Sequence, residues 1–167
     1  GTSAAAPVIS GVVALMLQAN ANLNWRDVQE ILLYTARQNE PDHPDWIVNE
    51  AGLTFNHYFG GGVVDTTNAV HVARTWTSLP FRQTYSDVLY SNLKMHDNAL
   101  DTFEFVISNE LRVEHVELTV DIIHKYRLDL AIMLQSPFGT RSRMTTPVRS
   151  GDAIISQSIQ SGYTPSM

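Results

Sequence analysis

The sequence predicts an α/β domain represented by its helices up to about residue 78, followed by an all-β sandwich region after about residue 82, both incomplete. Three observations carry this expectation. The first segment is a helix that is apolar nearly all round, which belongs inside a layered core packed on more than one side. The residues around it supply almost no strand for it to lie on. After "TSLPFRQTYS" the hydrophobic period changes from that of a helix to that of a strand with one wet face. The missing sheet is therefore expected upstream of Gly1.

The first helix is predicted from Ala4 to Asn20, with Val8, Ile9, Val12, Val13, Leu15, Met16 and Leu17 covering most of its circumference. Pro7 is placed in or next to its first turn, where a missing N–H costs little. Asn24 reads as the N-cap of a second helix, with Asp27 three residues on as an acidic variant of the capping box. That helix carries Trp25, Val28, Ile31, Leu32 and Thr35 on one face and ends before Pro41 and Pro44. A glycine-broken run, "FNHYFGGGVVD", leads to Asp65, the expected cap of a third helix over 66–76 with Ala69, Val70 and Ala73 inward.

In the β region, "TFEFVI" alternates, and so does "VEHVELTVDII". Val116, Leu118, Val120 and Ile122 share one face of the latter, with Glu117, Thr119 and Asp121 on the other. "RLDLAIML" repeats the pattern through Leu128, Leu130, Ile132 and Leu134, and "SPFGT" reads as the turn that follows.

Composition narrows the function classes. With 44% hydrophobic and 17% charged residues the chain is that of a folded protein. Its net charge of −6 arises from scattered carboxylates, and no basic cluster offers a nucleic-acid footprint. No run of 18 consecutive apolar residues encodes a membrane span. The absence of cysteine excludes a disulfide framework and thiolate metal ligands.

Ser3 is the one candidate catalytic residue. At a helix start it lies beside backbone N–H groups and the positive end of the helix dipole, and Thr2, Ala4 and Ala5 leave room for a substrate carbonyl. Position alone favours an ordinary capping serine over a nucleophile. The nucleophile elbow G-x-S-x-G fails here, because Ala5 stands where the second glycine is required.

The string Gly1-Thr2-Ser3-Ala4-Ala5-Ala6-Pro7 resembles the serine motif G-T-S-x-A-x-P of the subtilisin-like serine proteases. "NLNWRDVQ", Asp45–Trp46 and the aromatic–glycine run before "VVD" are similar to the end of the catalytic domain of kexin/furin-type proprotein convertases. "DLAIMLQSPFGTRS" is similar to a signature of their P domain, a jelly-roll or β-sandwich module. The likeness runs to about Ser150 and then fades. It divides the chain into the end of a peptidase domain (1–78), a linker (79–84) and a partial P domain (85–167). The resemblance implies that Ser3 is the nucleophile, with its own N–H as an oxyanion donor. It further implies Ca²⁺ binding, cleavage of protein or peptide substrates after basic residues, and a secretory or extracellular setting. No Ca²⁺ ligands are identifiable in this chain. Three glycines at 60–62 replace the family's usual alternation of aromatic and glycine, and Leu128 stands where some members have glycine.

A serine nucleophile needs a histidine base and an orienting carboxylate. In the subtilisin order Asp and His precede Ser, so both partners are expected upstream, in the remainder of the same catalytic domain. His43, His57, His71, His96, His115 and His124 all follow Ser3, in the wrong order. The chain alone is therefore expected to be inactive. The competing function is a non-catalytic binding or adhesion protein with a degenerate protease-like domain and a β-sandwich module. The glycine run lacks the Lys and Ser/Thr of a phosphate-binding loop, and the acidic residues of "EPDHPDW" lack EF-hand spacing. Close backbone packing beneath the third helix is expected of the former, and a solvated loop of the latter.

Overall fold

The computed structural model describes residues 1–91, 94, 96, 99–108, 112–123, 129–145 and 157–160, the last four through backbone pairing alone. His124, Leu128 and most of the tail beyond 145 lie outside the described residues. The chain divides into two compact units, Gly1–Ser78 with Arg112–Met167, and Leu79–Leu111.

In the first unit, helix α1 spans Thr2–Ala19, α2 Trp25–Thr35 and α3 Thr66–Thr75. The expected caps are present. Asn24 Oδ1 accepts the N–H groups of Arg26 (2.8 Å) and Asp27 (3.1 Å), while Asp27 Oδ2 accepts the Asn24 N–H at 2.9 Å. Asp65 Oδ1 accepts the Asn68 N–H at 2.9 Å and opens α3. Two strand pairs set the ends of the loop between α2 and α3. Strands β1 (Ile47–Val48) and β2 (Thr54–Phe55) are antiparallel, and Arg37 exchanges two backbone hydrogen bonds with Val63.

The core is small and lies between the helices. Val12 and Met16 of α1, Leu23, Ile31 of α2, and Ala69 and Ala73 of α3 are buried together, with Val28, Leu32, Val64 and Trp76 closing its rim. The alanines of α3 admit α1 closely, and Asn20 at the end of α1 donates to the Ala73 carbonyl at 3.0 Å. Much of the rest of α1 is uncovered: Val8 is 60% exposed, with Leu15 and Leu17 also open to solvent. The expected packing of α1 on several sides is thus met on one side only within this chain. By length and composition α1 could also cross a membrane, with a mean hydropathy of 1.5, although no uninterrupted apolar run marks it. Within this chain it contributes Val12 and Met16 to the helical core.

Two expectations for α2 and the glycine run are corrected. Trp25 is 66% exposed and leaves the expected α2 face, on which Ile31 and Thr35 are buried and Val28 and Leu32 pack against the core, and Asp27 and Glu30 are buried on this helix as well. The glycines pack against the end of α2 rather than beneath α3. A Cβ on Gly61 would lie 2.8 Å from Leu33, and one on Gly62 (φ +117°) would lie 2.4 Å from the Arg37 carbonyl oxygen.

In the β region, burial alternates residue by residue from Val116 to Ile122 and again from Leu130 to Gln135, as the sequence predicts. The strands are shorter than the alternation: β3 spans Thr119–Ile122, β4 Ile132–Gln135, β5 Arg141–Thr145 and β6 Gln157–Gln160. β4 and β5 form a hairpin through the predicted turn. The Gly139 N–H bonds Ser136 O at 3.0 Å, and φ of +93° explains the glycine. β3 pairs with β6, antiparallel, from Thr119 opposite Gln160 to Ile122 opposite Gln157. These are separate two-stranded pairs among the described residues. In the second unit, "TFEFVI" is not a strand, and Phe103, Phe105, Val106 and Ile107 are exposed. Alternation alone makes no strand where no ladder partner satisfies the backbone.

Candidate active-site serine and the braces around it

Ser3 is the second residue of α1, and the N-cap is Gly1, with no side-chain cap hydrogen bond. The capping role that position favoured is therefore absent. The helical ladder begins with the N–H groups of Ala4 and Ala5, which both bond the Gly1 carbonyl, at 3.0 and 3.3 Å. The Ser3 N–H precedes it and so belongs to the group of helix-start donors that lack an intrahelical acceptor. The exposed Ser3 side chain is flanked by exposed Thr2, Ala4 and Ala5, so a carbonyl group meets no bulky neighbour there.

Pro7 lies within α1, next to its first turn. A proline there removes the hydrogen bond to the carbonyl four residues back, which is that of Ser3. Both polar backbone groups of Ser3 thereby stand outside the helical ladder. Ser10, in the interior of the same helix, instead bonds back to the Ala6 carbonyl at 3.2 Å.

Among the described residues, no histidine hydrogen-bonds to Ser3. His57 comes nearest to a base in form, since its Nδ1 lies 2.8 Å from Asp45 Oδ2. The same oxygen accepts the His57 backbone N–H at 2.7 Å, which makes the pair a brace across the β1–β2 loop. That backbone bond, foremost, together with the imidazole, holds the Asp45 carboxyl below the usual carboxylate range. His115 faces Glu117 at 3.2 Å, and His71 is exposed on α3.

His43 is engaged in a second brace. Its Nδ1 lies 3.2 Å from the Asp45 backbone N–H, which can only donate, so Nδ1 is an acceptor and the neutral ring carries its proton on Nε2. Asn56, fully buried, donates to the same Nδ1 at 3.1 Å through Nδ2. Its Oδ1 accepts from the backbone of Tyr58 (2.8 Å) and Phe59 (3.3 Å), and its backbone exchanges two bonds with Gly60. The rings of Tyr58 and Phe59 meet His43 edge-on, each at 5.3 Å. This loop is therefore built rather than simply solvated. No local pattern marks Asn56 or the pairing of Asp45 with His57, because each depends on a contact across the loop.

Residues 1–62 match the model of the Subtilase family, and residues 113–164 match that of the Proprotein convertase P-domain. The class is thus a subtilase segment followed by a P-domain, and the match extends past Ser150, where the sequence likeness was expected to fade. Proprotein convertase subtilisin/kexin type 7 of Mus musculus is 40% identical over 156 residues, 88% of this chain and 20% of that protein. Furin-1 of Xenopus laevis is 37% identical over 153 residues, again covering 88% of this chain and 20% of the relative. The crystal structure of a serine protease of Aeromonas sobria superposes with a TM-score of 0.73 at 28% identity, covering 88% of this chain and 29% of that one. The chain belongs to the subtilisin/kexin-type proprotein convertases. It spans about a fifth of the length of the curated relatives it matches.

Proposed function

We propose that the protein is a serine endopeptidase of the subtilisin/kexin type that cleaves precursor proteins after basic residues in the secretory pathway, with Ser3 as its nucleophile. The observation that carries this reading is the seven-residue serine motif seated on the first turn of α1, inside the segment that matches the Subtilase family. In the proposed reaction Ser3 Oγ adds to the scissile carbonyl carbon and passes its proton to a histidine base. The Ser3 N–H donates to the oxyanion, and the helix dipole adds to its stabilisation. Collapse breaks the C–N bond as the base returns the proton to the departing amine, and water then hydrolyses the acyl-serine.

The base and its orienting carboxylate are assigned to the remainder of the catalytic domain, so the 167 residues alone are inactive. The uncovered Val8, Leu15 and Leu17 fit the same view, being the face on which the rest of the α/β domain packs. The β region is the P domain, completed as a sandwich beyond the strand pairs described. Ca²⁺ belongs to the family reading alone. Among the described residues, no group of three histidine or acidic side chains is placed to hold a metal ion.

The test is cleavage of a dibasic fluorogenic peptide by the full-length protein and its Ser3→Ala variant. Loss of a triad member lowers kcat by about 10⁴-fold or more. Retention of most of the activity by the variant would sink the assignment. A full-length protein with no peptidase activity at all would favour the non-catalytic reading.

A further inference from the structure

Helix α2 presents a ridge of three polar side chains at successive turns, Arg26, Glu30 and Tyr34, to the stretch of chain entering the β region. Arg26 reaches Glu114 with both ends of its guanidinium, Nε donating to Oε2 at 2.7 Å and Nη2 to Oε1 at 2.5 Å. Glu30 pairs with Arg112, which also donates to the Tyr34 hydroxyl at 3.3 Å. These contacts are not loose surface pairs on the helix side. The Arg26 side chain is 11% exposed and that of Glu30 8%, and both Glu30 carboxylate oxygens are shielded from solvent. A charge so enclosed is strongly unfavourable without its partner.

The spacings of the two elements match. Four residues of helix advance about 6 Å, and two residues of chain reach at most about 7 Å. Arg26 and Glu30 are four apart, and Glu114 and Arg112 are two apart and run in the opposite direction. The order of charges excludes the obvious alternatives. Sliding the segment by two residues would set Arg112 against Arg26. Reversing its direction would bring Arg112 against Arg26 and Glu114 against Glu30, a repulsive arrangement with the charges desolvated.

We propose that Arg26 and Glu30 of α2 form a crossed-charge lock with Glu114 and Arg112 that selects both the direction and the register in which the chain enters the β region. The lock ties the subtilase segment to the P-domain match, which begins at residue 113. It stands independently of Ser3, because it concerns how two segments join and not what either catalyses.

The experiment exchanges charges without changing their number. In the full-length protein, the exchange Arg112→Glu with Glu114→Arg leaves net charge and composition unaltered but makes both facing pairs like-charged. Its thermal midpoint is expected to fall by several degrees, and so is that of the matching exchange on the helix, Arg26→Glu with Glu30→Arg. Combining the two exchanges restores the crossed order and is expected to recover at least half of the summed loss. Losses that simply add in the fourfold variant would overturn the proposal. Should either exchange prevent folding, recovery of folded protein in the fourfold variant supports the lock. If the fourfold variant also fails to fold, the neutral cycle of Glu30→Gln, Arg112→Gln and their combination decides. Additive losses there overturn the proposal, and a double variant less destabilised than the sum supports it.

Discussion

In the helical region Asn24 and Asp65 each cap a helix that starts at the next residue, and the carboxylate or amide that caps lies within three positions of the donor it satisfies. In the β region, by contrast, Thr119–Ile122 finds its partner at Gln157–Gln160, far along the chain. The helix starts are thus specified by neighbours in sequence, as is the β4–β5 hairpin, whereas the β3–β6 pair depends on neighbours in space. The burial record follows this contrast. α1, α2 and α3 share a core containing fully buried Met16 and Ile31, whereas the alternating residues of β3 and β4 are only half-buried.

The largest expected difference between the regions is the cost of emptying their cores. Ile31→Ala in the full-length protein is expected to lower stability by about 2–5 kcal/mol, the range for a fully buried aliphatic side chain. Leu134→Ala, on half-buried β4, is expected to cost clearly less. Denaturant unfolding of both variants checks this, and equal losses would erase the contrast. Next in size is the cap: Asn24→Ala removes two hydrogen bonds to the start of α2 and is expected to cost about 1 kcal/mol. Asn24→Asp, which keeps the acceptor, is expected to recover most of it. A loss no greater than that of an exposed mid-helix substitution would show that the core, not the cap, fixes the start of α2.

The smallest effect is the pH response of the loop brace. The Asp45 carboxyl titrates lower when folded than its ordinary value near 3.9. Its contribution is therefore complete above that unfolded value and is lost as pH falls through the folded one. Protection of the His57 amide, relative to its intrinsic exchange rate, is expected to fall below about pH 4 in the native sequence. In Asp45→Asn that protection should be lower throughout and lack the step. An identical pH profile in both would refute the brace.

Much of the helical region was legible in the residues themselves. The capping box of Asn24 and Asp27, the Asp65 cap and the inward Ala69 and Ala73 are all local signals, and all are found in place. Apolar periodicity places Val28, Ile31, Leu32 and Thr35 of α2 on the core side, but it cannot register a buried charge. Asp27 and Glu30 turn inward to meet Trp76 and Arg112, while Trp25 points out. The period of two was right about which residues of 116–122 are shielded, yet it suggested a strand at "TFEFVI" that has no ladder. The glycine run was read correctly as a close approach, but its partner is the end of α2, a relation set by tertiary contact. Of the candidate site, the place of Ser3 at the start of α1 was legible, and the Asp45–His57 and His43–Asn56 braces were not.

Ser3 as the reacting group is tested most directly by covalent capture. The full-length protein, treated with a fluorophosphonate and digested, is expected to carry one adduct on the peptide containing Ser3, and none in Ser3→Ala. Labelling that persists in that variant, or an adduct mapped to another residue of an active enzyme, would contradict it.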